Sequence, residues 1–158
     1  MIARRSGKIL VMGSASALRG MKRASTYSAA RGAQLAYVQA IGVELAPHHI
    51  QVNAIAQNFV DNPTYFPPEV QANPRFQERL KREVPLGRLV GAREDAEFAA
   101  YLCSEAAAGV SGQVFGVRGN EILLYSQPRP VRTAHRADGW SAETIAAQWA
   151  QEIRHRVA

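Results

Sequence analysis

Cysteine is nearly absent: Cys103 is the single one in 158 residues. That excludes a disulfide framework and a cysteine-ligated zinc cluster. No apolar run approaches the roughly 18 residues that a membrane-spanning helix needs. The basic start, Met1 to Lys8, is followed only by the short apolar run Ile9 to Met12, too brief for the core of a secretory signal. No glycine-rich phosphate loop stands between a strand and a helix. Aromatic residues are few, at 8%, and do not alternate with basic ones. The net charge of +6 comes from scattered residues, clustered only at Arg4-Arg5, Arg79 to Arg82 and Arg129 to Arg136. A solvated surface is expected rather than a nucleic-acid site. These absences together lead us to expect a cytoplasmic protein with neither a membrane nor a nucleic-acid partner.

What is present is an ordinary folded composition, 47% hydrophobic and 20% charged, at the length of one domain. Lys8 to Gly13 reads as a buried strand ending at glycine. After the small-residue loop Ser14 to Gly20, Ser25 or Thr26 is expected to cap a helix that runs to about Ala46, where Pro47 stops it. Ala33, Ala36, Ala40 and Val43 share one face of that helix and leave it flat, suited to close packing. Ile50 to Ala56 reads as a second strand. An irregular stretch follows, 57–68, with three prolines and three aromatics. Residues 69–83 read as helical, interrupted at Pro74. Arg93 to Glu105 reads as another helix, with Ala96, Ala99, Ala100 and Cys103 toward the core and Cys103 a packed thiol. Gly112 to Val117 is the third expected strand and Ile122 to Tyr125 a short fourth. A polar linker over 127–138 precedes a last helix, capped by Ser141, with Ile145, Trp149 and Ile153 at four-residue spacing. Alternation of strands and helices argues for an α/β fold with parallel pairing.

The chemistry-bearing residues are Ser14, Tyr27 and Arg31. Tyr27 and Arg31 are four apart at a helix start, so they share a face. Ser14 sits at the mouth of the first strand, and the connecting loop can return it to that helix. A tyrosine hydroxyl titrates near pH 10, too high for a base at neutrality. A guanidinium beside it favours the phenolate, which is then a competent general base. A serine hydroxyl can hold the substrate oxygen. The spacing alone also fits an ordinary solvated helix start.

Gly13-Ser14-Ala15, Tyr27-Ser28-Ala29-Ala30-Arg31, Val52-Asn53-Ala54-Ile55-Ala56, Pro85-Leu86-Gly87-Arg88-Leu89 and Gly112-Gln113-Val114, in that order, resemble the back half of a short-chain dehydrogenase/reductase. The resemblance covers residues 1–120. It implies the C-terminal half of a Rossmann-like, doubly wound parallel sheet, with about three parallel strands and flanking helices, and an extension over 121–158. In that superfamily a serine, a tyrosine and a lysine four residues later carry catalysis; here Arg31 takes the lysine's place. Ser-Tyr-Arg is similar to the halohydrin dehalogenase branch, which uses no nicotinamide and sets a halide pocket in its place. The stretch Ala56-Gln57-Asn58-Phe59-Val60 through Tyr65-Phe66-Pro67 also departs from the oxidoreductases' Pro-Gly turn and resembles the dehalogenase halide loop. The resemblance therefore implies Gln57, Asn58, Phe59 and Val60 lining a halide pocket, closed by Tyr65 or Phe66, with no cofactor. For the aromatics, ordinary core packing is the other reading.

The tail points elsewhere. Ser126 to Pro130, Asp138-Gly139-Trp140-Ser141 and the final helix look like extensions on some NAD(P)-dependent reductases, so an oxidoreductase acting on a carbonyl or alcohol stays open. So does an inactive fragment that associates with its relatives. The flat helix 25–46 resembles the one that family members pack between subunits, and a homo-oligomer through it is expected. The chain begins at what resembles the family's fifth strand. On that resemblance the strand is an open apolar edge, and the chain alone is expected to be poorly stable and inactive.

Overall fold

The computed structural model describes residues 1–130 and 133–149. They form two compact units, Met1–Ser126 and Gln127–Ala158. The first holds a four-stranded sheet in the order β1 (Gly7–Ser14), β2 (Ile50–Gln57), β3 (Val114–Arg118), β4 (Glu121–Leu124). The first three strands are parallel, and β4 returns antiparallel to β3. With helices on both faces, this is the partial doubly wound architecture that the strand–helix alternation led us to expect.

β2 is the middle of the parallel part, and its composition says why. Ile50, Val52, Asn53, Ala54, Ile55 and Ala56 are all buried, so both faces of the strand are covered. On one face lies α1 (Ser25–Leu45), whose Leu35 and Val38 pack on Val52, Ala54, Ala56 and Val114. On the other lies α4 (Ala92–Cys103), whose Leu102 packs on Ile55 and Val117. Fully burying side chains of this size contributes about 1.5–3 kcal/mol each. Asn53, also buried, donates to the Val110 carbonyl at 2.9 Å and accepts from the Gln113 N–H at 3.1 Å. It thereby pins the turn that leads into β3. At Gly42, α1 comes so close to this turn that a Cβ would stand 2.9 Å from the Gly112 Cα.

Several local expectations are corrected. Ser25 is the first residue of α1 and not its cap; Ala24 holds the cap position and makes no side-chain capping hydrogen bond. Pro47 lies inside a 3-10 turn, Ala46–His48, and His49 then takes the left-handed φ of 55° that redirects the chain into β2. On α4 the inward residues are Asp95, Phe98, Ala99 and Leu102, while Ala96, Ala100 and Cys103 are exposed. The large apolar side chains decide which face is buried, so Cys103 is not a packed thiol.

Pro74 falls at the first turn of α3 (Pro74–Glu83), where a missing N–H costs nothing. The short α2 (Pro68–Gln71) precedes it, and Asn73 between them accepts from the Arg75 N–H at 2.9 Å. The flat face of α1 is open in this chain: Ala33, Ala36, Ala40 and Val43 are exposed. In the second unit Ser141 caps α5 (Ala142–Thr144), its hydroxyl accepting from the Thr144 N–H at 3.2 Å. A π-helical turn, Ile145–Trp149, continues it, and Ile153 lies outside the described residues. Among the described residues no helix is long and apolar enough to cross a membrane.

Candidate active site

The carboxyl ends of the parallel strands are level. Ser14 pairs in register with Gln57, and Gln57 with Val117. Ser14 closes β1, and the 3-10 turn Ala15–Ala17 carries the chain off the sheet. Its Oγ accepts from the Ser16 N–H at 3.3 Å and from the Ser16 hydroxyl at 3.0 Å. Such a serine–turn contact fixes the Ser14 rotamer.

Tyr27 and Arg31 occupy successive turns of one face of α1. The Arg31 guanidinium carbon lies 5.0 Å from the centroid of the Tyr27 ring. Arg31 also donates to Gln34 Oε1 at 3.0 Å and to the Met12 carbonyl at 3.5 Å, which ties the helix start to β1. Tyr65, from the loop after β2, meets Tyr27 edge-on at 6.2 Å and 61°. Burial alone would raise the Tyr27 pKa. Hydrogen bonding with Ser14 and Arg31, the Arg31 charge and hydrogen bonding with Tyr65 outweigh it, and the hydroxyl sits below its ordinary 10.0.

Four of the residues singled out in the sequence thus meet: Ser14, Tyr27, Arg31 and Tyr65. The others are placed differently. The Gln57 amide donates to the carboxylate of Asp95, a buried acid on α4. Burial pushes the Asp95 pKa up, and the Gln57 hydrogen bond opposes that. Asn58 Oδ1 accepts from Arg19 at 3.2 Å. Phe59 is buried against Leu80 and Val84, stacked with Phe66 at 6.2 Å, and Phe66 meets Phe76 at 5.3 Å. Both phenylalanines therefore pack in the cluster beneath the loop. Phe59 holds a left-handed φ of 56°, a strained conformation for an aromatic residue. Val60 bridges to Val90: the Phe59 carbonyl accepts from the Val90 N–H, and the Asp61 N–H donates to the Val90 carbonyl, both at 2.8 Å.

Sequence reasoning missed Ser16, Gln34 and Asp95. Ser16 carried a faint signal, since a serine two residues past Ser14 is a common local hydrogen-bond partner. Asp95 carried none: its partner is 38 residues away. Among the described residues no group of three His, Cys, Asp or Glu could hold a metal ion. At the turn after β2 both side-chain amides are engaged, Gln57 with Asp95 and Asn58 with Arg19.

The family model described as enoyl-(acyl carrier protein) reductase matches residues 1–119. The uncharacterized oxidoreductase YmfI of Bacillus subtilis is 37% identical over 119 residues, covering 75% of this chain and 48% of that protein. Further curated relatives carry reductase or dehydrogenase names. Among solved structures, one described as a dehalogenation enzyme is 37% identical with a TM-score of 0.68, over 74% of this chain and 48% of that one. The halohydrin dehalogenase HheC, bound to ethyl (2S)-oxiran-2-ylacetate, is 33% identical with a TM-score of 0.69, over 82% of this chain and 53% of that one. The chain spans about half the length of the curated relatives it matches.

Proposed function

We propose, from the premise that this chain belongs to the short-chain dehydrogenase/reductase superfamily, that Ser14, Tyr27 and Arg31 close vicinal halo-alcohols to epoxides with release of halide. The observation that carries the reading is Arg31, in the place of the superfamily's lysine, stacked over the Tyr27 ring. Likeness to two dehalogenase structures supports it.

Tyr27, as phenolate, takes the proton of the substrate hydroxyl. Ser14 donates to the same oxygen and holds it. The oxygen forms a bond to the neighbouring carbon, the carbon–halogen bond breaks, and halide leaves with the electron pair. Both reacting atoms belong to one molecule, so the step gains from proximity. Tyr27 then returns its proton to water. The leaving halide would sit against the turn Asn58 to Val60, with Tyr65 closing the site. Run backwards, the site opens an epoxide with a small anion. The test is halide release from a vicinal chloro-alcohol by the intact protein without nicotinamide. Tyr27→Phe is expected to lower it by at least about 100-fold; activity near wild type in that variant overturns the assignment.

A second reading is favoured by the names of the curated relatives. In it the protein is an NAD(P)-dependent oxidoreductase: a bound nicotinamide would supply hydride chemistry, and Tyr27 would donate the proton to the carbonyl oxygen. Carbonyl-dependent oxidation of NAD(P)H without halide release would select it. A third reading, an inactive chain that associates with relatives, rests on the open face of α1.

A further inference from the structure

We propose that the cavity beside Ser14 seats the far end of the substrate, and that Arg19 selects a carboxylate there. The cavity, of about 170 Å³, begins at Ala15, the residue after Ser14, and at Asn58, the residue after Ser14's register partner Gln57. A molecule reacting at Ser14 and Tyr27 therefore has this space within reach of its other end. The volume is below the roughly 300 Å³ at which pockets for drug-sized ligands begin, so it suits a short side group of a small molecule.

The lining combines apolar and cationic side chains. Leu18, Ala56, Leu123 and Tyr125 supply the apolar surface, and Arg19 and Arg118 the charge. The two arginines are not equivalent. Arg118 is held by Glu121 through two donors, at 2.8 and 2.6 Å. Arg19 is held loosely. Its Nη2 meets Asn58 at 3.2 Å, which keeps it by the cavity, and its Nη1 lies 3.6 Å from Glu83. Glu83 is already engaged more closely by Arg79 at 3.0 Å and Arg82 at 3.3 Å. Three guanidiniums thus converge on one carboxylate, leaving an excess of positive charge. Arg19 is the most weakly bound of the three and can turn to an incoming anion with the least loss. A short apolar chain ending in a carboxylate matches both parts of the lining. The predicted substrate class is a small vicinal halo-alcohol or epoxide acid. That identity rests on the dehalogenase reading above; the carboxylate preference of the cavity does not.

The test is binding without turnover. Butanoate and butanamide, equal in size and different in charge, are titrated into the full chain by calorimetry, and the methyl signals of Leu18 and Leu123 are followed by NMR. Butanoate is expected to bind about 10-fold more tightly than butanamide, as a charge-assisted contact implies, and to shift both leucines. Arg19→Gln is expected to erase the preference, and Arg19→Lys to keep part of it. Equal affinity of the two probes, binding of neither, shifts confined to other methyls, or a full preference in Arg19→Gln each overturn the proposal. The first three need no variant, so a misfolded Arg19→Gln does not shield it. Halide release is measured in parallel. Its absence would overturn the dehalogenase reading and leave a butanoate preference standing; halide release without that preference would overturn this site alone.

Discussion

The guanidinium carbon of Arg31 stands 5.0 Å from the centre of the Tyr27 ring, one helical turn away on α1. The pair is local in sequence, so the helix itself sets its geometry. Tertiary contacts set its effect. Gln34 and the Met12 carbonyl fix the arginine, and Ser14 and Tyr65 reach the tyrosine oxygen from other elements.

Arg31→Gln is therefore expected to move the pH profile. In the proposed reaction Tyr27 works as phenolate, so the rate should rise as pH climbs through its pKa, which lies below 10.0. Without the guanidinium that pKa rises, and the rising limb moves to higher pH. The variant loses rate at neutral pH and regains it in alkali. A uniform loss at every pH would show that Arg31 does not tune Tyr27.

Asn53→Ala removes a buried donor and a buried acceptor that hold the turn before β3. The Val110 carbonyl and the Gln113 N–H would both lose their partner. The expected loss is on the order of 2–4 kcal/mol, read as a lower urea midpoint. A change under about 0.5 kcal/mol, typical of surface positions, would contradict this.

Glu94 gives a stability window at low pH. The Arg88 side chain, then the Gly91 N–H, hold its pKa down to about 2 from 4.5. The folded state thus favours the carboxylate more than the unfolded chain does. That contribution is complete above pH 4.5 and is lost as pH falls from there through about 2. Glu94→Gln should flatten the thermal midpoint against pH across this interval and change its shape little above pH 6. The pair is exposed and the effect correspondingly small.

Ala36→Glu probes the open face of α1. Charge placed among Ala33, Ala40 and Val43 would block close helix packing between copies. Wild type is expected to associate through this face, and the variant to run as a monomer in sedimentation at the same concentration. Unchanged sedimentation would remove α1 as the contact.

The strands β1 and β3 were legible as short apolar runs beside glycine and β2 as a β-branched and alanine-rich run after Pro47, and the Tyr27–Arg31 pair because helical spacing forces it. The orientation of α4 was not. Its alanines and cysteine suggested a core face, yet Phe98 and Leu102 have more surface to bury and turn the helix their way. That rotation carries Asp95 inward, a position no hydrophobic pattern assigns to an acid. Gln57 was singled out for its place after β2, but the partner that claims its amide is on a distant helix. Phe59 and Phe66 could have lined a pocket or filled a core. Phe76, contributed by α3, completes the stack that takes them into the core.

The Ser16 contact gives the site a direction. The Ser14 oxygen accepts from both the amide and the hydroxyl of Ser16, so its lone pairs are occupied and its own proton is what remains to offer. In the proposed reaction an oxygen lodged between Ser14 and Tyr27 would receive from the serine. If it is to lose a proton, that proton must go to the tyrosine. The polarity of proton flow in that reaction would thus be set by a turn of three residues, before any substrate arrives.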